Sequence, residues 1–374
     1  MRKPRILIAG ILITAGLVAC SDTDSKDLST TSSVVNTPSV KDYVETGPHH
    51  VGVATLELAN GSGIEVWYPT SVPPEGEVAY DVRDFVPDSI KALLTADIPA
   101  SFAISATRDA EIESGVFPVV LFSHGFSGMR LQSSFLTSHL ASWGMIVISP
   151  DHESRDLRHA FVGQIGDSAT AITDLFDALE LVHLDKRFAN AMEMDSIAAV
   201  GHSAGGGTVL KAASDERVDG YVSLASGRLG NDTETAMPDK PSFFIAGSLD
   251  QVVSAASATQ PAFDAAPTPS VYWLIDGVGH NGFDDFCTFG NGKGIIGVAE
   301  ASGLGAVLDA QPQFKKLGSD GCLPPSVSAE VGFPIIRSAV TAWLLGLFTA
   351  GGDNSSVTAP QTDNFETNIT IQSR

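Results

Sequence analysis

The chain has 374 residues, a length that allows one large α/β domain or two small ones, and at 43% hydrophobic and 18% charged it is too apolar for a disordered chain. Glycine (36) and proline (20) are plentiful but follow no G-X-Y period, which excludes collagen. With 44 acidic against 22 basic residues the formal charge is −22, a surface that repels phosphate backbones, so no nucleic-acid partner is expected.

Residues 1–19 open with Arg2, Lys3 and Arg5 and continue as an apolar run, Ile6 to Val18. The run is shorter than the roughly 20 residues of an ordinary membrane span. It ends in Leu17-Val18-Ala19-Cys20, which resembles the lipobox of a bacterial lipoprotein signal peptide. That resemblance implies removal of residues 1–19, lipidation of Cys20, and a protein held by lipid in the bacterial cell envelope, on its periplasmic or cell-surface side. Residues 20–46, rich in Ser, Thr and Asp, read as a flexible tether. Residues 47–350 carry the folded domain, and 351–374 form a polar tail expected to be loose, with Phe365 and Ile369 as its candidates to dock. Cys287 and Cys322 are then the cysteines left over, and two cysteines in an exported chain usually form a disulfide.

Within the domain, Val51–Leu58 and Gly63–Tyr68 alternate apolar and polar residues around Asn60-Gly61, the pattern of an antiparallel hairpin. Pro118–Ser123, Met145–Ser149, Ile197–Val200, Tyr221–Leu224, Ser242–Ala246 and Val271–Ile275 read as buried strands. Leu131–Trp143, Asp167–His183, Ala204–Ala213 and Val331–Phe348 have helical spacing. Arg337 inside the last run makes it a docked core helix. Val-, Ile- and Leu-rich strands between helices predict an α/β fold: a mostly parallel central sheet with helices on both faces and an antiparallel N-terminal hairpin.

Gly201-His202-Ser203-Ala204-Gly205 matches G-x-S-x-G and lies between a predicted strand and a predicted helix, the context in which a serine is held exposed at a sharp turn. A hydroxyl needs a base. Of nine histidines, His280 in Asp276-Gly277-Val278-Gly279-His280 is the one that follows a late strand. His202 is expected to point away from the turn, His124 to hold its own loop, and His139, His152, His159 and His183 to pack, cap or lie on the surface. The acid that orients the imidazole is expected at Asp250, which ends SFFIAGSLD; Asp276 is the main competitor and Asp239 precedes its strand. For an oxyanion, the N–H groups of Ala204 and of Phe126 in Ser123-His124-Gly125-Phe126-Ser127-Gly128 are the candidate donors.

The order Ser203…Asp250…His280 is that of α/β-hydrolases. GPHHVGVATLEL…VWYP, FPVVLFSHGFSG, LASWGMIVISPDHESRD, SIAAVGHSAGG, PSFFIAGSLD and GVGHNGFDDF resemble the platelet-activating-factor acetylhydrolase and dienelactone-hydrolase-like group, and the order and spacing are similar to bacterial cutinase-like polyester hydrolases. True dienelactone hydrolases use cysteine where this chain has Ser203. The resemblance implies an α/β-hydrolase fold and a serine carboxylesterase acting on short-acyl or lipid-like esters. The alternatives are an interfacial lipase, phospholipid deacetylase or polyester hydrolase, and a non-catalytic binding lipoprotein. The expected partners are a small-molecule or lipid ester and the membrane reached through Cys20. No cofactor is expected: there is no CxxC or HxxxH spacing for zinc, and Gly290–Gly294 lacks the Ser/Thr of a phosphate loop. Asp81–Ser114 and Phe283–Leu323 are the segments that either roof the site or pack on the surface.

Overall fold

The computed structural model describes residues 39–228, 236–349, 352–361 and 365–374. The expected lipobox, with Cys20, and most of the expected tether lie outside the described residues.

The strands are β1 (His50–Glu57), β2 (Gly63–Thr70), β3 (Val78–Asp81), β4 (Ser101–Ile104), β5 (Thr107–Arg108), β6 (Phe117–Ser123), β7 (Ile146–Pro150), β8 (Met192–His202), β9 (Gly220–Leu224), β10 (Ser242–Gly247), β11 (Ser270–Ile275) and β12 (Ile369–Ser373). One sheet takes the order β12-β11-β10-β9-β8-β6-β7-β2-β1-β5, while β3 and β4 pair apart from it. From β11 across to β7 all neighbours are parallel. The hairpin β1–β2 enters antiparallel, through β2 against β7. This is the α/β-hydrolase fold the sequence predicts.

Because side chains alternate along a strand, each strand feeds both faces. Val120 and Phe122 of β6 join one core with Leu136, Leu140, Ile336, Val340 and Trp343, from the helices Ser134–Ser142 and Ala329–Phe348. Val119 and Leu121 join the other, with Leu175, Leu179 and Val182 of the helix Thr170–Leu184. The helix Ala204–Ala212 lies on that second side, its Val209 packed with Ala199 and Phe244. Ala329–Phe348 is apolar and long enough to cross a membrane by composition, but Ile335, Ile336, Ala339, Val340 and Leu344 are fully buried in the core.

Two boundaries differ from the sequence reading. The tether does not run free to residue 46: Val40 is buried, Ser39 caps the short helix Val40–Tyr43, and Tyr43 packs edge-on against Trp143. Nor is the tail loose throughout. Ile369–Ser373 adds to β11 as an antiparallel edge strand, and Phe365, Ile369 and Ile371 pack against the core. A strand of alternating Ile and polar residues suits a half-buried edge.

Cys287 and Cys322 are joined as a disulfide, with Cα atoms 4.8 Å apart. The bond spans a sequence separation of 35, so the double variant Cys287→Ser/Cys322→Ser is expected to lose about 4 kcal/mol of stability through loop entropy. Denaturant unfolding measures this; coincident curves for variant and wild type would refute it.

Candidate active site

β8 ends at His202 and the helix begins at Ala204, leaving Ser203 alone to turn the chain. It does so with φ 54° and ψ −120°, in the left-handed region that L residues avoid. A Cβ on Gly201 would strike the carbonyl of Gly205, and one on Gly205 would strike the carbonyl of Ser123. Glycine is therefore required at both positions for strand, turn and helix to meet. The Ser203 N–H donates to Leu224 O (2.9 Å), which ties the turn to β9.

The three residues singled out in sequence order come together here. Ser203 Oγ lies 2.9 Å from His280 Nε2, and His280 Nδ1 lies 2.8 Å from Asp250 Oδ2. A carboxylate only accepts, so Nδ1–H donates to Asp250 and Nε2 presents its lone pair to the serine hydroxyl. The other Asp250 oxygen accepts the N–H groups of Val252 (2.9 Å) and Val253 (2.7 Å), which fixes the carboxylate in its loop after β10. Asp276 faces elsewhere, accepting from Ser248 Oγ (2.8 Å). Asp239 is exposed ahead of β10.

The loop after β6 is held from beneath. Arg155 donates to His124 O (2.8 Å), Ser123 Oγ (2.7 Å) and Thr208 Oγ1 (2.8 Å). His124 donates through Nδ1 to Gly125 O and accepts the N–H of His152 at Nε2 (3.0 Å). Burial, with the Arg155 charge adding to it, pushes the His124 pKa down to about 3, so it is neutral, as these bonds require. Burial also lowers Arg155 to about 10 and raises Asp174, which pairs with His152, to about 7. Gly125 lies against Ser203, where a Cβ would be 3.2 Å from the serine's own Cβ. Among the described residues no acceptor takes the N–H of Phe126, and Ala204, at the first helical position, has no intrahelical acceptor for its own. His139 bonds Tyr43 O and His159 bonds the Asp156 side chain that caps its helix, in keeping with packing and capping roles.

His202 departs from expectation. It does not point away but runs under His280, its Nε2–H donating to His280 O (3.2 Å) with the rings 4.9 Å apart. Burial, then the neighbouring His280, holds it well below the ordinary histidine range. Its Nδ1 lies 3.6 Å from Asp284, which burial holds well above the usual carboxyl range. Gln132 then bridges two loops: its Nε2 donates to Asp284 Oδ2 (2.8 Å) and its Oε1 accepts the N–H of Gly125 (2.7 Å). The link to Asp284 has no sequence signal, because 152 residues separate it from Gln132.

A cavity of about 630 Å³ opens on Ser203 and His280. Both candidate roof segments wall it: Val82, Val86, Ile90 and Leu94 from the first, Phe286, Ile296, Leu304 and Phe314 from the second. Leu157, Ala160 and Phe161 form a further wall that sequence reasoning missed. Among the described residues no three His, Cys, Asp or Glu gather as a metal-holding group.

A strained serine between strand and helix, backed by histidine and aspartate from later loops, is the site plan of an α/β-hydrolase fold. Comparison with known proteins agrees on the fold and adds relatives. Residues 86–220 match the family model described as chlorophyllase. The chain is 25% identical over 181 residues to cutinase 2 of Thermobifida cellulosilytica and, at the same identity and length, to a cutinase of Thermobifida alba. Each match takes in 45% of this chain; the chain spans 62% of the first relative's length and 54% of the second's. A ferulic acid esterase from Streptomyces cinnamoneus superposes with a TM-score of 0.60 at 18% identity, covering 87% of this chain and 97% of that one.

One pH dependence follows from Asp285, whose carboxylate accepts the N–H of Phe135 (3.0 Å) and whose pKa burial raises to about 7. The folded state keeps this proton longer than the unfolded state, where the pKa is about 4. Stability is therefore lost as pH rises between these values. Asp285→Asn is expected to gain stability relative to wild type at pH 8 compared with pH 5, by urea unfolding at each. An equal difference at both pH values would assign the titration to another group.

Proposed function

We propose that the chain is a serine ester hydrolase. The observation that carries this reading is the continuous hydrogen-bonded array Ser203–His280–Asp250 on the floor of an apolar cavity. Ser203 Oγ attacks the ester carbonyl while His280 Nε2 takes its proton, and Asp250 stabilises the imidazolium. The N–H groups of Phe126 and Ala204 receive the developing oxyanion. His280 then protonates the departing alcohol and activates a water that releases the acid from Ser203. Relatives named as cutinases, and a structural neighbour named as a ferulic acid esterase, support ester bonds as the target.

The cavity walls favour an ester with an apolar acyl or alcohol group, short-acyl or lipid-like, over a charged one. Action on dispersed lipid or polyester is a second reading, favoured by the exposed Phe161, Val162 and Ile165, of which Phe161 also lines the cavity. The resemblance of Leu17–Cys20 to a lipobox supports an envelope-anchored enzyme.

Detergent-solubilised full-length protein assayed on p-nitrophenyl esters from acetate to palmitate tests the chemistry. Ser203→Ala is expected to lose at least about 10⁴-fold in kcat, and wild-type turnover in that variant would refute the mechanism. Cys20→Ser is expected to abolish incorporation of labelled palmitate into the protein in cells; undiminished incorporation would refute lipid anchoring at that residue.

A further inference from the structure

The segment that closes the disulfide also touches both loops of the array. Asp320 ends the helix Pro312–Ser319 and stands just before Gly321 and Cys322. Its Oδ2 accepts the N–H of Gln251 (2.9 Å), the residue after Asp250, and the N–H of His280 itself (3.2 Å). Its carbonyl accepts the N–H of Asn281 (2.8 Å), whose side chain donates in turn to Leu317 O (2.8 Å). The two backbones touch: a Cβ on Gly279 would lie 2.5 Å from the Cα of Gly321, and Gly321 has φ +95°. Only a glycine pair brings the carboxylate this close to the histidine loop. Beyond it, the disulfide to Cys287 secures the strap to the far end of the same loop.

We propose that Asp320 is a positioning residue for this array, one oxygen setting the spacing between the loop that carries Asp250 and the loop that carries His280. The proposal rests on the catalytic reading above. Asp320 touches neither Ser203 nor the substrate cavity; it acts through the backbone on both sides of the His280–Asp250 bond. Losing it leaves the side chains present but frees the imidazole to drift, and misplacement on the order of 1 Å can cost up to about 100-fold in rate.

The test is the rate at which an alkyl fluorophosphonate labels Ser203 in the full-length protein, with the labelling end point counting competent molecules. Asp320→Ala is expected to reach full stoichiometry but label roughly tenfold more slowly, with kcat per labelled site falling equally and KM nearly unchanged. Asp320→Asn keeps an acceptor oxygen and is expected to restore most of the rate. Wild-type kinetics per labelled site in Asp320→Ala would overturn the proposal, since a merely structural role changes the end point and not the rate. If Asp320→Ala does not fold, Asp320→Asn decides: as Asn retains the acceptor, a rate as low as about one tenth of wild type would overturn the proposal and near-wild-type labelling supports it. An active Ser203→Ala would instead overturn the catalytic reading beneath it.

Discussion

The backbone of Ser203 is the constraint on which the rest is arranged. A left-handed serine costs on the order of 1–3 kcal/mol and persists only where its surroundings over-determine it. Here they do so by steric exclusion. Gly201 meets the Gly205 carbonyl, Gly205 meets the Ser123 carbonyl, and Gly206 meets the Ser226 side chain. β6, β8 and the helix after Ser203 are thus brought together at backbone distance. That approach sets the β6 loop beside the serine, so the candidate oxyanion donors and the hydroxyl share one rigid frame.

The molecule holds a second hydrogen-bonded series of the same three residue types. Ser123 Oγ lies 2.9 Å from His152 Nε2, and His152 Nδ1 lies 3.1 Å from Asp174 Oδ2. This second Ser–His–Asp series is entirely buried at its serine and histidine. Arg155 also donates to the Ser123 hydroxyl, occupying a lone pair that a nucleophile would need. The carboxyl of this series, Asp174, is raised to about 7 by burial. What separates the two series is the strained turn and the cavity above Ser203. The buried one anchors the β6 loop.

Legibility in the sequence followed interaction range. Strands fully buried on both faces announce themselves as short apolar runs, and the glycine spacing around Ser203 encodes a local steric demand. Both were readable, as was the assignment of Asp250 and His280 to loops after successive strands. The links that hold those loops were not. His202 sits inside the motif, yet nothing in its neighbours says that it turns under His280. Gln132, Arg155 and Asp320 act across separations of 152, 31 and 40 residues, as ordinary polar side chains on unremarkable segments. The tail misled because its composition is polar, whereas an edge strand needs only alternate apolar residues such as Ile369 and Ile371.

Most of the apolar cavity wall comes from stretches of chain distinct from those that carry the triad candidates. Val82 to Leu94 precedes the parallel strands, and Phe286 to Gly318 intervenes between the His280 loop and the helix Ala329–Phe348. Scaffold and walls can therefore diverge at different speeds. Exchanges among wall residues would redraw which molecules fit, as loops over a common framework do in enzymes, with the geometry of Ser203 untouched. The freedom stops at the short stretch from Leu317 to Cys322, where wall and framework share hydrogen bonds and a covalent bond. Inheritance of a new specificity is thus modular over most of the walls and coupled to reactivity at that one seam.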